Sequence, residues 1–181
     1  MFSKNIRVSK RYAKALLSLA IENSILHEAY ADMVLISKAF SCDKELKIVL
    51  KSPIIREGKK QNILSRIFEG KVHPLIMHYM KIIARKRRAA LLEGISHQFI
   101  NVYKAHLNIE SVIVTTAFPI DQQLREKVLE VAIKLTPKTI DFLEKVNPDL
   151  IGGFILDIGD RRYDASLKRK LSDFKRHLNV K

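Results

Sequence analysis

Asn147-Pro148-Asp149-Leu150-Ile151-Gly152-Gly153-Phe154-Ile155-Leu156-Asp157-Ile158-Gly159-Asp160-Arg161-Arg162-Tyr163-Asp164 is the stretch whose reading decides the fold of this chain. Asn147-Pro148-Asp149 is turn chemistry, and Gly152-Gly153 permits backbone conformations that a β-carbon forbids. Phe154, Leu156 and Ile158 repeat at period two, which predicts a strand, and Gly159-Asp160 predicts a hairpin turn after it. Asp164 is in place to cap a basic amphipathic helix. The run contains neither a nucleophile nor a phosphate cradle, so it reads as architecture.

Upstream of this run the periodicity is strand, helix, strand. Ile109–Ala117 is rich in Val, Ile and Thr and predicts a strand closed by Pro119. Asp121 then caps a helix to Leu135, with Leu124, Val128, Val131 and Leu135 on one stripe. Thr136-Pro137 ends it, and Thr139–Val146 predicts a second strand. Downstream, Ser166–Leu178 predicts a terminal helix with Leu167, Leu171, Phe174 and Leu178 in register.

The first hundred or so residues carry no strand alternation. Helical segments are predicted over Lys4–Asn23, Ile25–Phe40, Asp43–Leu50, Arg56–Phe68, Pro74–Ala84 and Ala89–His106. Asp43 and Ser52 are suitable caps, and Pro74 stands where a first helical turn tolerates proline. The expected architecture is α+β overall: a six-helix bundle over residues 1–106, followed by a small α/β domain over residues 107–181.

With 181 residues, 47% hydrophobic and 29% charged, the composition is that of an ordinary globular chain. No apolar run approaches the roughly 18 residues needed to span a bilayer. The first residues, Met1-Phe2-Ser3-Lys4-Asn5, show no signal-peptide h-region, and helical patterning begins almost at once. One cysteine, Cys42, excludes an internal disulfide framework, and its neighbours Ser41, Asp43 and Lys44 predict a surface position. The formal charge is +14, with 20 Lys/Arg against 8 Asp/Glu up to Ala105, a net +12, and a net +2 thereafter. Only Arg85-Lys86-Arg87-Arg88 is a tight cluster. An acidic partner, a membrane surface or a nucleic acid would each suit that imbalance.

Two helices have more apolar surface than one core contact uses. At about 100° per residue, Ala15, Leu19, Tyr12, Leu16, Ala20, Ala13, Leu17 and Ile21 cover an arc of about 240°. Ile82, Leu75, Tyr79, Ile83, Ile76, Met80, Ala84 and Met77 cover about 220° by the same geometry. Either both helices lie centrally in the bundle, or their adjacent surfaces form a groove for an amphipathic partner helix, which the flexible Met77 and Met80 would suit. Met33-Val34-Leu35-Ile36 reads as core.

Catalytic constellations are not found. His27, His73, His78, His97, His106 and His177 have no metal-site spacing; His73 and His78 are five apart across a proline, unlike an HExxH pair. Gly152-Gly153 lacks the lysine of a P-loop and the third glycine of a dinucleotide fingerprint. Asp157, Asp160 and Asp164, with Arg161, Arg162 and Lys168 nearby, are explained by turn, cap and surface pairing. No catalytic residue, cofactor or metal is expected.

At this point a family resemblance enters. Arg11-Tyr12-Ala13-Lys14-Ala15-Leu16, Ser52-Pro53, Arg88 with Leu91-Leu92 and Phe99, and above all Val146–Phe154 continuing to Ile158-Gly159-Asp160 and Asp164-Ala165-Ser166-Leu167 resemble the delta subunits of bacterial F-type ATP synthases. These are the counterparts of the mitochondrial oligomycin-sensitivity-conferring protein. Leu150, Ile151, Gly152, Gly153, Gly159 and Asp164 carry the signature. Arg87 departs from a common glycine, which predicts a more helical turn. Glu93-Gly94 departs from a proline-containing pair, and Asn108 from a glycine whose left-handed conformation Asn tolerates.

The resemblance implies a non-catalytic connector, one copy per complex, whose helical domain binds N-terminal helices of alpha subunits and whose second domain joins the b subunits of the peripheral stalk. It implies a peripheral, indirect association with the cytoplasmic face of the bacterial inner membrane, and a role in ATP synthesis coupled to ion transport without nucleic acid. It places the alpha-binding groove between the first and fifth helices, hence on Tyr12, Ala15, Leu16, Leu19, Ile76, Met77, Met80 and Ile83. The alternative from the charge alone is a basic nucleic-acid-binding adaptor using Arg85–Arg88 and Arg161-Arg162.

Overall fold

The computed structural model describes residues 2–119, 122–135, 137–159 and 161–178. Tertiary contacts divide the chain into two compact units, Met1–Lys104 and Ala105–Lys181.

The first unit contains α1 (Phe2–Glu22), α2 (Leu26–Cys42), α3 (Lys44–Lys51), α4 (Glu57–Phe68), α5 (Pro74–Arg85) and, after a 3-10 turn at Ala89–Leu91, α6 (Leu92–His106). Its start and stop signals are readable residue by residue. Asp43 Oδ1 accepts from the Leu46 amide at 3.0 Å and so caps α3. Pro74 occupies the first turn of α5, where a missing N–H costs nothing. The His73 side chain caps the same helix, its Nδ1 accepting from the Leu75 amide at 3.2 Å. Ser52 is not the cap of α4; it ends α3, and its hydroxyl accepts from Ile54 N. The loop continues four residues further because Pro53 restricts its predecessor to extended backbone.

The core of this unit is assembled from one stripe of each helix, including Leu16, Ala20, Met33, Ile36, Phe40, Leu50, Leu64, Phe68, Ile76, Met80, Ile95 and Phe99, all at most 2% exposed. Met33 and Ile36 are core, but Leu35 is 38% exposed, so the apolar quartet in α2 is split by helical geometry. Cys42 is exposed at the end of α2. Lys60 is buried, and its ammonium donates to the Leu50 carbonyl at 2.9 Å, satisfying a C-terminal carbonyl of α3. Gly94 allows α6 to approach α1 closely: a β-carbon there would sit 2.8 Å from Ser9 Oγ.

Arg87 corrects the sequence reading of its turn. Its φ is +60°, the left-handed conformation, and the Arg88 amide donates back to the Ile83 carbonyl. The chain therefore leaves α5 through the turn a glycine would make, with an arginine held in it. Arg87→Gly should stabilise the first unit by about 1 kcal/mol, the left-handed penalty of a residue with a β-carbon. Thermal or urea unfolding checks this, and an unchanged or lowered midpoint would contradict it.

The second unit contains β1 (Ile109–Thr116), α7 (Gln122–Leu135), β2 (Thr139–Val146), a 3-10 turn at Pro148–Leu150, β3 (Phe154–Ile158), β4 (Arg161–Asp164) and α8 (Leu167–Leu178). The strand order is β2-β1-β3-β4. β1 and β2 are parallel through the α7 crossover, with Ile109 opposite Thr139, while β3 and β4 run antiparallel. Asn108 enters β1 with φ +53°, the left-handed conformation expected of it. Val112, Val114, Leu156 and Ile158 alternate into one face of the sheet and pack against Val128 and Ala132 of α7. Asp121, Thr136, Asp160 and the side chains of Leu124, Val131, Leu135 and Leu178 lie outside the described residues.

Candidate functional site: the half-open face of α1 and α5

Helix α1 buries Ser9, Ala13, Leu16, Leu17 and Ala20. One flank away, Val8, Tyr12 and Leu19 are half-buried and Ala15 is exposed. These four recur at four, three and four residues, within an arc of about 60°. On α5 the pattern repeats: Ile76, Met77, Met80, Ile83 and Ala84 are buried, whereas Leu75, Tyr79 and Ile82, spaced four and three, are half-buried. Two apolar seams thus stand at the surface after each helix has filled its share of the core.

Hydrogen bonds hold the seams beside each other. The Tyr79 hydroxyl donates to the Tyr12 backbone carbonyl at 3.1 Å. Burial, with a smaller contribution from Tyr12, raises the Tyr79 pKa, so its phenol stays a donor throughout the physiological range. Arg88 reaches back from the turn after α5, donating to the Tyr12 hydroxyl and lying 5.6 Å from the centre of its ring. Tyr12 is therefore fixed from both sides.

Burial changes the accessible residues at this face. Of the eight expected, Tyr12, Ala15 and Leu19 have surface, but Leu16 and Ile76 are 0% exposed, Met80 1%, Ile83 3% and Met77 6%. Those five belong to the core, because an apolar arc of this width is divided between an inner and an outer contact. Val8, Leu75, Tyr79 and Ile82 take their place at the surface. The signal was present in the sequence as a four–three repeat, which a summed arc obscures.

The signature residues of the second unit have structural roles of different kinds. Leu150 is buried, and Ile151, 62% exposed, has a φ of +65°. The Gly152 amide donates to the Leu150 carbonyl at 2.6 Å, closing a three-residue γ-turn around that isoleucine. A β-branched residue at positive φ is strained, and here the strain presents an apolar side chain outward. Gly153, at φ +75°, lies where a β-carbon would meet the Ala165 carbonyl at 2.4 Å. Gly159, at φ +54°, begins the two-residue link between β3 and β4.

Asp164 does not itself cap α8. Its Oδ1 accepts from the Ser166 amide at 2.9 Å, hydrogen bonding from the Ser166 hydroxyl and then from that amide lowers its pKa, and Ser166 Oγ accepts from the Arg169 amide as the helix cap. The serine wins because it is the residue immediately before the helix. Asp157 is paired with Arg162 through two hydrogen bonds of 2.6 and 3.0 Å. Along α8, Leu167, Leu171 and Phe174 are 45%, 54% and 71% exposed at four–three spacing. Among the described residues no group of three or more His, Cys, Asp and Glu is arranged to hold a metal.

Among the described residues, the first unit thus leaves two apolar seams half-buried on α1 and α5, and the second unit by itself leaves apolar side chains of α8 exposed. The family model of the ATP synthase delta (OSCP) subunit matches residues 8–178. The chain belongs to the ATP synthase delta (OSCP) family. It is similar to the ATP synthase subunit delta of Amoebophilus asiaticus, with 35% identity over 99% of this chain and 98% of that relative. The ATP synthase subunit delta of Cytophaga hutchinsonii is 35% identical over 95% of this chain and 94% of its own length.

A chain of the Toxoplasma gondii mitochondrial ATP synthase hexamer shares the fold, with a TM-score of 0.73 at 18% identity, covering 96% of this chain and 98% of that one. As a member of the delta (OSCP) family the protein is a subunit of F-type ATP synthase and takes part in ATP synthesis as a structural component. Among its described residues no helix is long and apolar enough to cross a membrane.

Proposed function

We propose that this delta-family subunit links the catalytic head of the synthase to its peripheral stalk and resists the torque of rotation without chemistry of its own. The first unit acts as a six-helix cap on the head, its α1/α5 face receiving an N-terminal helix of an alpha subunit. The second unit meets the b subunits, through the exposed seam of α8 and the neighbouring Ile151. The complex holds the chain at the cytoplasmic face of the inner membrane.

The observation that carries this reading is the pair of half-buried seams on α1 and α5. A single helix laid between them would bury both, and amphipathic helices are recognised through anchors of that spacing. Peptide binding tests it. A synthetic alpha N-terminal helix should bind the full chain, and Leu19→Asp should weaken binding at least about 30-fold by placing a charge in an apolar contact, about 2 kcal/mol. Undiminished affinity in a folded Leu19→Asp variant would remove the groove from consideration.

A further inference from the structure

Helices α1 and α5 run in opposite directions, and that gives the groove two unlike ends. At the start of α5, the His73 amide donates to Asp32 Oδ2 at 2.7 Å and the His73 ring lies 4.0 Å from Glu28. Both carboxylates belong to the first half of α2, close to where α1 ends. Beyond the last turn of α5, Arg88 meets Tyr12, and a cavity of about 410 Å³ is lined by Ala90 and Leu91 together with Ile6 and Ser9 of α1. The end of α5 therefore lies against the first half of α1.

That second end is cationic and largely uncompensated. Arg85, Lys86 and Arg88 are exposed, as is Arg11 beside Tyr12. Arg87 takes Glu57 at 3.5 Å, whereas Arg85, Lys86 and Arg88 have no carboxylate partner among the described residues. The apolar seams alone would accept a helix in either direction. Charge at one end breaks that degeneracy, since like charges cost affinity and opposite charges set register.

Resting on the groove reading above, we propose that the α1/α5 face selects a partner helix with an acidic terminal turn and seats that turn against Arg85, Lys86 and Arg88. The carboxylates of the partner replace solvent around three cations, and the opposite, uncharged or basic end lies towards Glu28 and Asp32. The positive imbalance of the first hundred residues then acts as a filter that fixes the direction of the bound helix as well as attracting it.

The test uses the full chain and three 20-residue amphipathic peptides, each with a leucine seam at four–three spacing. One terminal turn carries three Glu, three Gln or three Lys. At low salt the Glu peptide should bind about tenfold more tightly than the Lys peptide, from pairs worth a few tenths of a kcal/mol each. The preference should shrink as salt is raised, vanish in Arg85→Gln/Arg88→Gln and reverse in Arg85→Glu/Arg88→Glu, with circular dichroism verifying the fold of each variant. Equal affinity of the three peptides, all abolished by Leu19→Asp, would overturn the charge selection and leave the groove standing. Glu-peptide binding that survives Leu19→Asp would be generic attraction to a basic protein and would overturn the proposal as well. No binding by any peptide would remove the groove and the selection together.

Discussion

Gly153→Ala is expected to unfold the second unit or leave it barely stable, at a cost of about 3 kcal/mol or more. Two independent terms add at this position. The backbone has φ +75°, where a β-carbon costs about 1 kcal/mol by itself. The new carbon would also stand 2.4 Å from the Ala165 carbonyl oxygen and 3.0 Å from Ser166 Cα, both main-chain atoms. Neither can move freely, because the Ala165 amide donates to Phe154 O at 2.9 Å and the Leu167 amide to Gly152 O at 3.0 Å. Relief of the clash would therefore break the tie between the β3 entry and the start of α8. Hydrogen exchange should show protection lost across β3 and β4 while the helices of the first unit keep theirs. Gly58→Ala is the control, since a β-carbon there meets nothing within 4 Å and the helix gains. A Gly153→Ala protein within about 1 kcal/mol of the parent would show that the close approach is not a constraint.

Met80→Asp should destabilise the first unit by about 4 kcal/mol or more, through an unpartnered carboxylate in the core and the loss of buried apolar area. Met80 is 1% exposed, between the equally buried Ile76 and Ile83 on α5. The comparison with Leu19→Asp separates core from surface. Both should abolish binding of an alpha-type helix, but only Met80→Asp should do so by unfolding, visible as a lowered thermal midpoint and lost helical ellipticity. Leu19 is half-buried, so aspartate there keeps its hydration and costs the fold about 1 kcal/mol. A folded Met80→Asp protein with an unchanged midpoint would mean that the buried stripe of α5 has been misassigned.

Much of the local structure was legible because its causes are local. Asp43, Pro74 and the Pro148 and Gly159 turns act through their own backbone neighbours, so their meaning does not depend on what packs against them. Arg87 shows the limit of that logic. An arginine prefers right-handed backbone, yet the turn after α5 holds it at φ +60°, since the return of the chain into Ala89 requires a left-handed step. Ile151 is a second case: nothing in its side chain asks for a γ-turn, which is imposed by the closure between Leu150 and Gly152. Asp164 and Ser166 both had capping chemistry, and the start of α8 decided between them.

The sequence by itself determined the order of helices and strands, the change from helical to alternating period at Ile109, and the family, through a run of turn and glycine residues whose spacing tolerates little else. It also showed that two helices carry apolar surface beyond one contact. Which residues of that surface remain outside was decided by tertiary structure alone. A helical period places residues around an axis, but only the neighbouring helices determine how wide a sector they cover. Here that sector takes Leu16, Ile76, Met77, Met80 and Ile83 and leaves Val8, Tyr12, Leu19, Leu75, Tyr79 and Ile82 at its edge. The same packing brings Arg88 from a distant turn onto Tyr12, a pairing across 76 residues that no local pattern encodes.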